Sequence, residues 1–425
     1  MSALTIPVER HRLENGLKIV LSPDKTVPVA AVNLWYGVGS RNEPAGKTGF
    51  AHLFEHMMFQ GSAHVPKNKH FELIEGVGGT LNASTWFDRT NYFDTVPSHD
   101  LELALWLESD RMGWMLPAMD QEKLDNQRDV VKNEKRQRYD NQPYGDWDER
   151  LQALIYPQGH PYHHTVIGSM EDLDAATLDD VASFFGTYYI PNNAVLTVAG
   201  DIDLDRTLDI VERYFGEIEP GDAIPPLPGN PDVEPRIGTT VRDRVVSEVP
   251  LPRVIMAFRI APYSSPDFAV AEVARALLGM GRASRLYNGL VRERRIAKSV
   301  VSYAYPLLTG ASMFLVWGTG YPETDLDELE NAMGEEIEGL VDAGQREVDR
   351  AIALTETDLV HTLERVAQRA DLLSMFDLYF DDPARLNTEL DRLRDVTVEQ
   401  IRSFAADMLG ADNRAVLTYE PAGPQ

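Results

Sequence analysis

Two segments 220 residues apart carry one pattern. TLDDVASFFGTYYIPNNAVLTVAG begins at Thr177, and TVEQIRSFAADMLGADNRAVLTYE begins at Thr397. Each reads as a threonine-capped helix, a turn and an apolar strand containing AVLT. Near the same offset, AAVNLWYGVGSRNEP from Ala30 falls beside LPRVIMAFRIAPYSS from Leu251, each an apolar strand leading through a loop into a helix. Between the copies lies GEIEPGDAIPPLPGNPDVEP, residues 216 to 235, with six prolines and few helix formers. A duplication of this kind restricts the chain to two related domains. They are expected at 1–215 and 241–425, joined by a Pro-rich linker over 216–240.

Within the first copy, strands are expected at 17–24 and 29–37, a helix over 47–60, and paired strands in GGTLNASTWFDRTNYFDTVP. Two amphipathic helices follow, the second capped by Asp120. Strands and helices alternate without a βαβ rhythm. The expected fold is therefore α+β, each copy a mostly antiparallel sheet with helices on one face. The net charge of −27 leaves no dominant basic patch, so nucleic acid is not an expected partner. The absence of cysteine excludes disulfides and thiolate metal sites. MSALTIPVERHRLENG has no apolar leader, and nowhere is there a run of about 18 apolar residues. A cytoplasmic protein without membrane contact is expected.

The helix over 47–60 contains GFAHLFEHMMFQGS. Phe50, Leu53, Phe54, Met57, Met58 and Phe59 nearly surround it, yet it carries His52, Glu55 and His56. Three ionisable groups in an apolar setting cost several kcal/mol, of order 2 or more each, unless something pairs them. His52 and His56 are four apart and share a helix face, where two neutral imidazoles can grip one zinc ion. Glu55 reaches the same side and can take a proton from metal-activated water. This is the H-x-x-E-H order, the inverse of the commoner zinc protease motif. At an offset of 221 the triad falls on Val273, Ala276 and Leu277, so the second copy keeps the helix and lacks all three groups.

Zinc needs a third protein ligand. In the helix after Asp120, Leu124, Gln127, Val131 and Glu134 recur at three- and four-residue spacing, which puts Glu134 on the apolar face. It is either a metal ligand or the partner of Arg128, Lys135 or Arg138.

Together these motifs resemble the zinc peptidases of the pitrilysin, insulin-degrading enzyme and mitochondrial processing peptidase family. The similarity is carried by GFAHLFEHMMFQGS, GGTLNASTWFDRTNYF and QRDVVKNEKRQRY, supported by HPYHHTVIGSMEDL, YYIPNNAVLTVAGDID and SRLYNGLVRERRIAKSV, and spans nearly the whole chain. The resemblance implies αβ-roll domains and one zinc ion per chain held by His52, His56 and Glu134, with Glu55 as general base. It implies that peptide substrate adds as a strand along Leu81–Thr85, with Asn82, Ala83 and Thr85 as contacts. It also implies that short members pair so that four rolls enclose a chamber.

Two departures stand out. Gln127 occupies a position where many members carry a glutamate; its amide can still hydrogen-bond around the ligands. In the second copy Arg292 matches a substrate-facing arginine, but the tyrosine expected seven residues later is Ser299. A heterodimer is therefore expected, in which a homologous subunit without zinc supplies the arginine and tyrosine. The alternatives are a self-sufficient homodimeric peptidase and a non-catalytic scaffold. The histidines of HPYHHT are read as a surface loop rather than a second metal site, because Pro161 breaks any helix there and no acidic residue sits at ligand spacing.

Overall fold

The computed structural model describes residues 5–423. Its first sheet runs in the order β1 (Glu9–Arg12), β2 (Lys18–Pro23), β6 (Ala194–Gly200), β3 (Val29–Tyr36), β5 (Thr90–Pro97), β4 (Thr80–Thr85). The second runs β7 (Thr240–Ser247), β11 (Arg414–Pro421), β8 (Arg253–Ile260), β10 (Ser312–Gly320), β9 (Ala297–Tyr305). β2–β6 and β7–β11 are parallel pairs, and every other pairing is antiparallel. Apart from β1, the two sheets have the same topology, as a duplication requires. The repeated helices match as well. Thr177 and Thr397 each accept from a backbone N–H three residues on, and Asp180 and Gln400 complete the capping boxes. No helix or strand lies between Phe215 and Thr240, where the prolines are. The protein is thus an α+β fold of two related domains.

The two compact units are not consecutive halves of the chain. The first comprises residues up to Lys135, Thr165–Gly229 and His361–Thr388. The second comprises Arg136–His164, Asn230–Val360 and the residues from Glu389 onward. Each copy therefore lends the other a helix. The reason is legible in β3, whose residues Ala30–Tyr36 are buried at every position, so both faces need cover. On one face Tyr36 packs against Tyr92 and Tyr189. On the other, Ala31 and Ala199 meet Ala370 of the helix Val366–Phe380. These small side chains let the helix close on the sheet. Asp371 Oδ1 then accepts from Asn33 Nδ2 at 3.1 Å, Trp35 Nε1 at 2.9 Å and Asn91 Nδ2 at 3.1 Å.

The second unit repeats the scheme. Val254, Met256, Phe258 and Ile260 join Phe314 and Val316 in one core with the helices Phe268–Gly279, Leu326–Glu338 and Val398–Met408. The opposite face takes the helix Trp147–Ile155. Arg259 Nε donates to Ile155 O at 2.8 Å, and Trp147 meets Trp317 with ring centres 5.8 Å apart.

HPYHHT is not a surface loop. His160 is buried, stacked on Tyr156 at 4.7 Å, with Nε2 on Pro231 O at 3.1 Å and Nδ1 accepting from Tyr162 N at 3.1 Å. Tyr162 Oη in turn accepts from Leu308 N and Thr309 N. The motif is a packed connector, and the aromatic residues around the histidines drive the burial that a count of polar residues misses. Among the described residues, no helix is long and apolar enough to cross a membrane.

Candidate metal centre

His52, Glu55 and His56 sit on the helix Phe50–Met57, shorter than the expected 47–60 because Gly49 turns left-handed at its start (φ 90°). The apolar side of this helix fixes its roll. Phe54 stacks on Tyr189 at 5.4 Å, and Leu53 and Met57 are fully buried. Glu134 lies in the last turn of the helix Gln121–Lys135, which Asp120 caps by accepting from Lys123 N at 2.8 Å. Leu124, Gln127 and Val131 form the buried stripe of that helix, and Glu134 extends it.

The two helices bring three ligand groups together. His52 Nε2 is 3.8 Å from Glu134 Oε1, and His56 Nε2 is 3.3 Å from Glu134 Oε2. The imidazole rings are 4.8 Å apart and steeply inclined. All three ligand atoms lie within 4.8 Å of one another, and no other such set of three occurs among the described residues. Donors around a tetrahedral zinc with bonds of about 2.0 to 2.1 Å are about 3.3 Å apart. Two imidazoles and a carboxylate at these separations fit such an ion.

Glu55 is half-buried on the same helix. Burial pushes its carboxyl up from the ordinary value; a hydrogen bond with Thr85 and the nearby His56 and Arg89 pull it back, while Glu134 adds to the rise. Thr85 and Ala83 point to the helix side of β4, where Thr85 Oγ1 also lies 3.5 Å from Ala51 O. Asn82 alternates to the other face and is exposed. β4 is the outer strand of its sheet, with β5 as its partner, so one edge is open to a further strand. Gln127 is buried two turns before Glu134, and its amide nitrogen donates to Asn126 Oδ1 at 2.9 Å. Arg292 belongs to the second unit, on Tyr287–Glu293, where Nη1 donates to Asn288 Oδ1 at 3.2 Å.

The ion-pair alternative for Glu134 fares poorly for Arg128, whose donors go to Leu173 O, Ala176 O and Asp125 Oδ1. Lys132 binds Asp174, and Lys135 Nζ donates to Gly168 O at 2.5 Å. Thus three cations at i, i+4 and i+7 tie the Glu134 helix to residues 168–176. The same segment touches the histidine helix. A Cβ on Gly168 (φ 68°) would fall 2.2 Å from Gly49 N. Thr48 N and Oγ1 donate to Asp172 Oδ2 at 2.8 and 2.6 Å.

Sequence reasoning missed this strap, and it missed Glu43. The buried Glu43 carboxylate accepts from Gly49 N at 2.8 Å and Ala51 N at 2.7 Å. It caps a helix that has no side-chain cap at its own N-terminus. The available signal was negative: GFAHLFEH opens without Ser, Thr, Asp or Asn, so its first N–H groups need an acceptor from elsewhere.

Comparison with known proteins places the chain among peptidases. Residues 18–162 match the family model described as Insulinase (Peptidase family M16), and residues 175–355 match that of the Peptidase M16 inactive domain. The first match contains the three ligand groups and Glu55. The chain is 31% identical over 373 residues to a Helicobacter pylori protein named zinc protease PqqE, covering 86% of this chain and 82% of that one. It is 25% identical to a probable mitochondrial-processing peptidase subunit beta of Schizosaccharomyces pombe, covering 96% and 90%. A crystal structure of a protease from Helicobacter pylori superimposes with a TM-score of 0.92 at 28% identity, covering 98% of this chain and all of that one. With a duplicated α+β fold, a converging His-His-Glu set and a relative of this identity along most of its length, the chain belongs to peptidase family M16.

Proposed function

We propose that the chain is a zinc-dependent endopeptidase subunit that hydrolyses peptides or small unfolded polypeptides. The observation that carries this reading is the convergence of His52, His56 and Glu134 from two helices, with Glu55 on the same helix as the histidines. The naming of the Helicobacter relative as a zinc protease supports it. Zinc held by these three residues supplies Lewis acidity toward a scissile carbonyl and toward water.

The remaining steps belong to the chain's own side chains. Glu55 takes a proton from water at a carboxylate oxygen and returns it to the leaving amine. Its half-buried setting, which raises its proton affinity, suits a group that must both accept and give. Thr85 lies beside that carboxyl and favours its charged form. The open edge of β4 receives substrate as an added strand, with Asn82, Ala83 and Thr85 along it. Main-chain pairing of this kind binds extended peptides with little regard for sequence.

Arg292 without a tyrosine at Ser299 leaves the substrate site half supplied. The chain acts as the metal-bearing half of a heterodimer, and a homologous subunit without zinc brings the missing pair. That the fission-yeast relative is named as one subunit of a peptidase supports this arrangement.

The test is cleavage of a mixed peptide pool by the zinc-loaded protein together with a homologous subunit that carries the arginine and tyrosine, with Glu55→Gln as control. Cutting should vanish in the variant while bound zinc persists. Cutting that survives Glu55→Gln rules out Glu55 as the base, and a wild-type chain that binds no zinc leaves the scaffold reading.

A further inference from the structure

Residues 136–148 of the second unit gather several costly features in one place. The segment opens with a π-helical stretch, Arg136–Asp140, a rare geometry that is frequent at functional sites. Tyr144 holds φ at 64°, a left-handed conformation that side chains resist. Gly145 lies so tightly that a Cβ would stand 2.0 Å from Tyr139 O. The strain is locked rather than relaxed: Tyr144 Oη donates to Leu251 O at 2.7 Å and accepts from Leu251 N at 3.1 Å. Strain held this firmly at one site points to a use for it.

What the strained tyrosine does is hold an arginine. The Arg253 guanidinium lies 3.6 Å from the centre of the Tyr144 ring. Its Nε donates to Thr319 Oγ1 at 3.1 Å. Its two terminal nitrogens meet no protein acceptor among the described residues, and no carboxylate pairs with it, in a chain with 67 acidic residues. Burial lowers its pKa, which the Tyr144 and Tyr419 rings only partly offset, so an anion there would be favoured. With Arg138, Gln142, Trp147 and Asp148, it lines a pocket of about 310 Å³. Asp148 is held by the Tyr139 hydroxyl at 3.0 Å, and burial pushes its carboxyl up to about 6. It is ionised at neutral pH and presents an acceptor to the same pocket.

We infer that this pocket binds the carboxy-terminal end of a peptide, with Arg253 pairing with its α-carboxylate and Asp148 accepting its last amide N–H. A guanidinium whose plane is fixed by stacking offers its terminal N–H groups as a fork that matches a carboxylate. A simple anion satisfies Arg253 and is repelled by Asp148; a peptide end satisfies both, because its carboxylate and amide N–H are neighbours. The pocket is at the small end of ligand-site volumes, enough for a terminal residue. The inference rests on the peptidase reading only for the ligand being a peptide.

The experiment uses the full-length Glu55→Gln chain, stripped of zinc, so that binding is read without hydrolysis. Three probes are titrated by calorimetry or saturation-transfer NMR: acetyl-dialanine as the free acid, its amide, and acetyl-aspartate amide. The free acid should bind at least tenfold more tightly than either amide. Arg253→Gln should abolish the preference, and Arg253→Lys should keep part of it. Equal binding of acid and amide by the unmutated pocket overturns the inference, whatever the variants do. Equal binding of acetyl-aspartate amide and the free acid overturns the assignment to the peptide terminus. A chain that fails to hydrolyse peptides when zinc-loaded and joined by a homologous subunit, but still prefers the free acid, would refute the peptidase reading and keep this one.

Discussion

The Glu43 carboxylate accepts two hydrogen bonds, from Gly49 N and Ala51 N, that hold the turn that aims His52. Removing it in Glu43→Ala leaves two buried N–H groups without that acceptor, at a cost of about 1 to 3 kcal/mol in unfolding free energy. A residue supporting a metal ligand typically governs affinity by roughly 10- to 100-fold. Zinc binding, measured by competition with a fluorescent chelator, should weaken about tenfold in Glu43→Ala and less in Glu43→Gln, which retains an acceptor oxygen. Unchanged zinc affinity in a folded Glu43→Ala protein would show that the cap does not orient the site. The buried His160, by contrast, has a structural role that pH can reveal. Burial pushes its pKa down to about 4, from an ordinary 6.5. Between those values the unfolded chain binds a proton that the folded chain does not, so stability falls as pH drops from about 6.5 toward 4. Above about 6.5 both states are neutral there and the effect is absent. Denaturant midpoints across this range should fall less steeply in His160→Gln than in the parent; parallel slopes would mean the ring is already charged in the fold.

At the scale of elements, the two ligand-bearing helices are spaced by the strap at 168–176 rather than by contact with each other alone. Lys135→Met removes the bond to Gly168 O without touching a ligand. It should cost about 1 kcal/mol of stability. Zinc affinity should nonetheless drop several-fold, because Glu134 is the adjacent residue. Gly168→Ala should do more, since the added carbon would collide with Gly49 N and the residue has φ of 68°. Circular-dichroism melts paired with chelator competition separate the two effects, and a Lys135→Met protein with parental zinc affinity would sink the strap. The sequence made much of this level legible. Apolar spacing located the histidine helix, and spacing with caps located the Glu134 helix and both repeated helix–strand units, because each is decided by neighbours a few residues away. The strap escaped notice because its bonds run from backbone carbonyls such as Gly168 O, which every residue possesses and no residue type advertises.

At the scale of the whole molecule, the duplication was readable and the exchange of helices was not. Whether Val366–Phe380 covers the sheet of its own copy or the other depends on matching Ala370, Asp371 and Ser374 to Ala31, Asn33 and Thr197, a long-range pairing without a local signature. The same asymmetry between copies bears on assembly. The first copy has His52, Glu55, His56 and Glu134; the second has Val273, Ala276 and Leu277 at the positions matching His52, Glu55 and His56, and Ser299 where a tyrosine is expected. A chain that concentrates its chemistry in one copy and has only Arg292 of the expected pair in the other is suited to working beside a complementary chain. The pure, zinc-loaded protein should therefore cut a mixed peptide pool slowly or not at all. Adding a homologous subunit that carries the arginine and tyrosine seven residues apart should restore Glu55-dependent cutting, and light scattering should show a mixed dimer. A Ser299→Tyr variant offers the converse test, since it supplies the missing ring in the chain itself. Robust cutting by the unmodified chain alone, as a homodimer, would mean that the second copy needs no tyrosine at Ser299 and that the heterodimer is unnecessary.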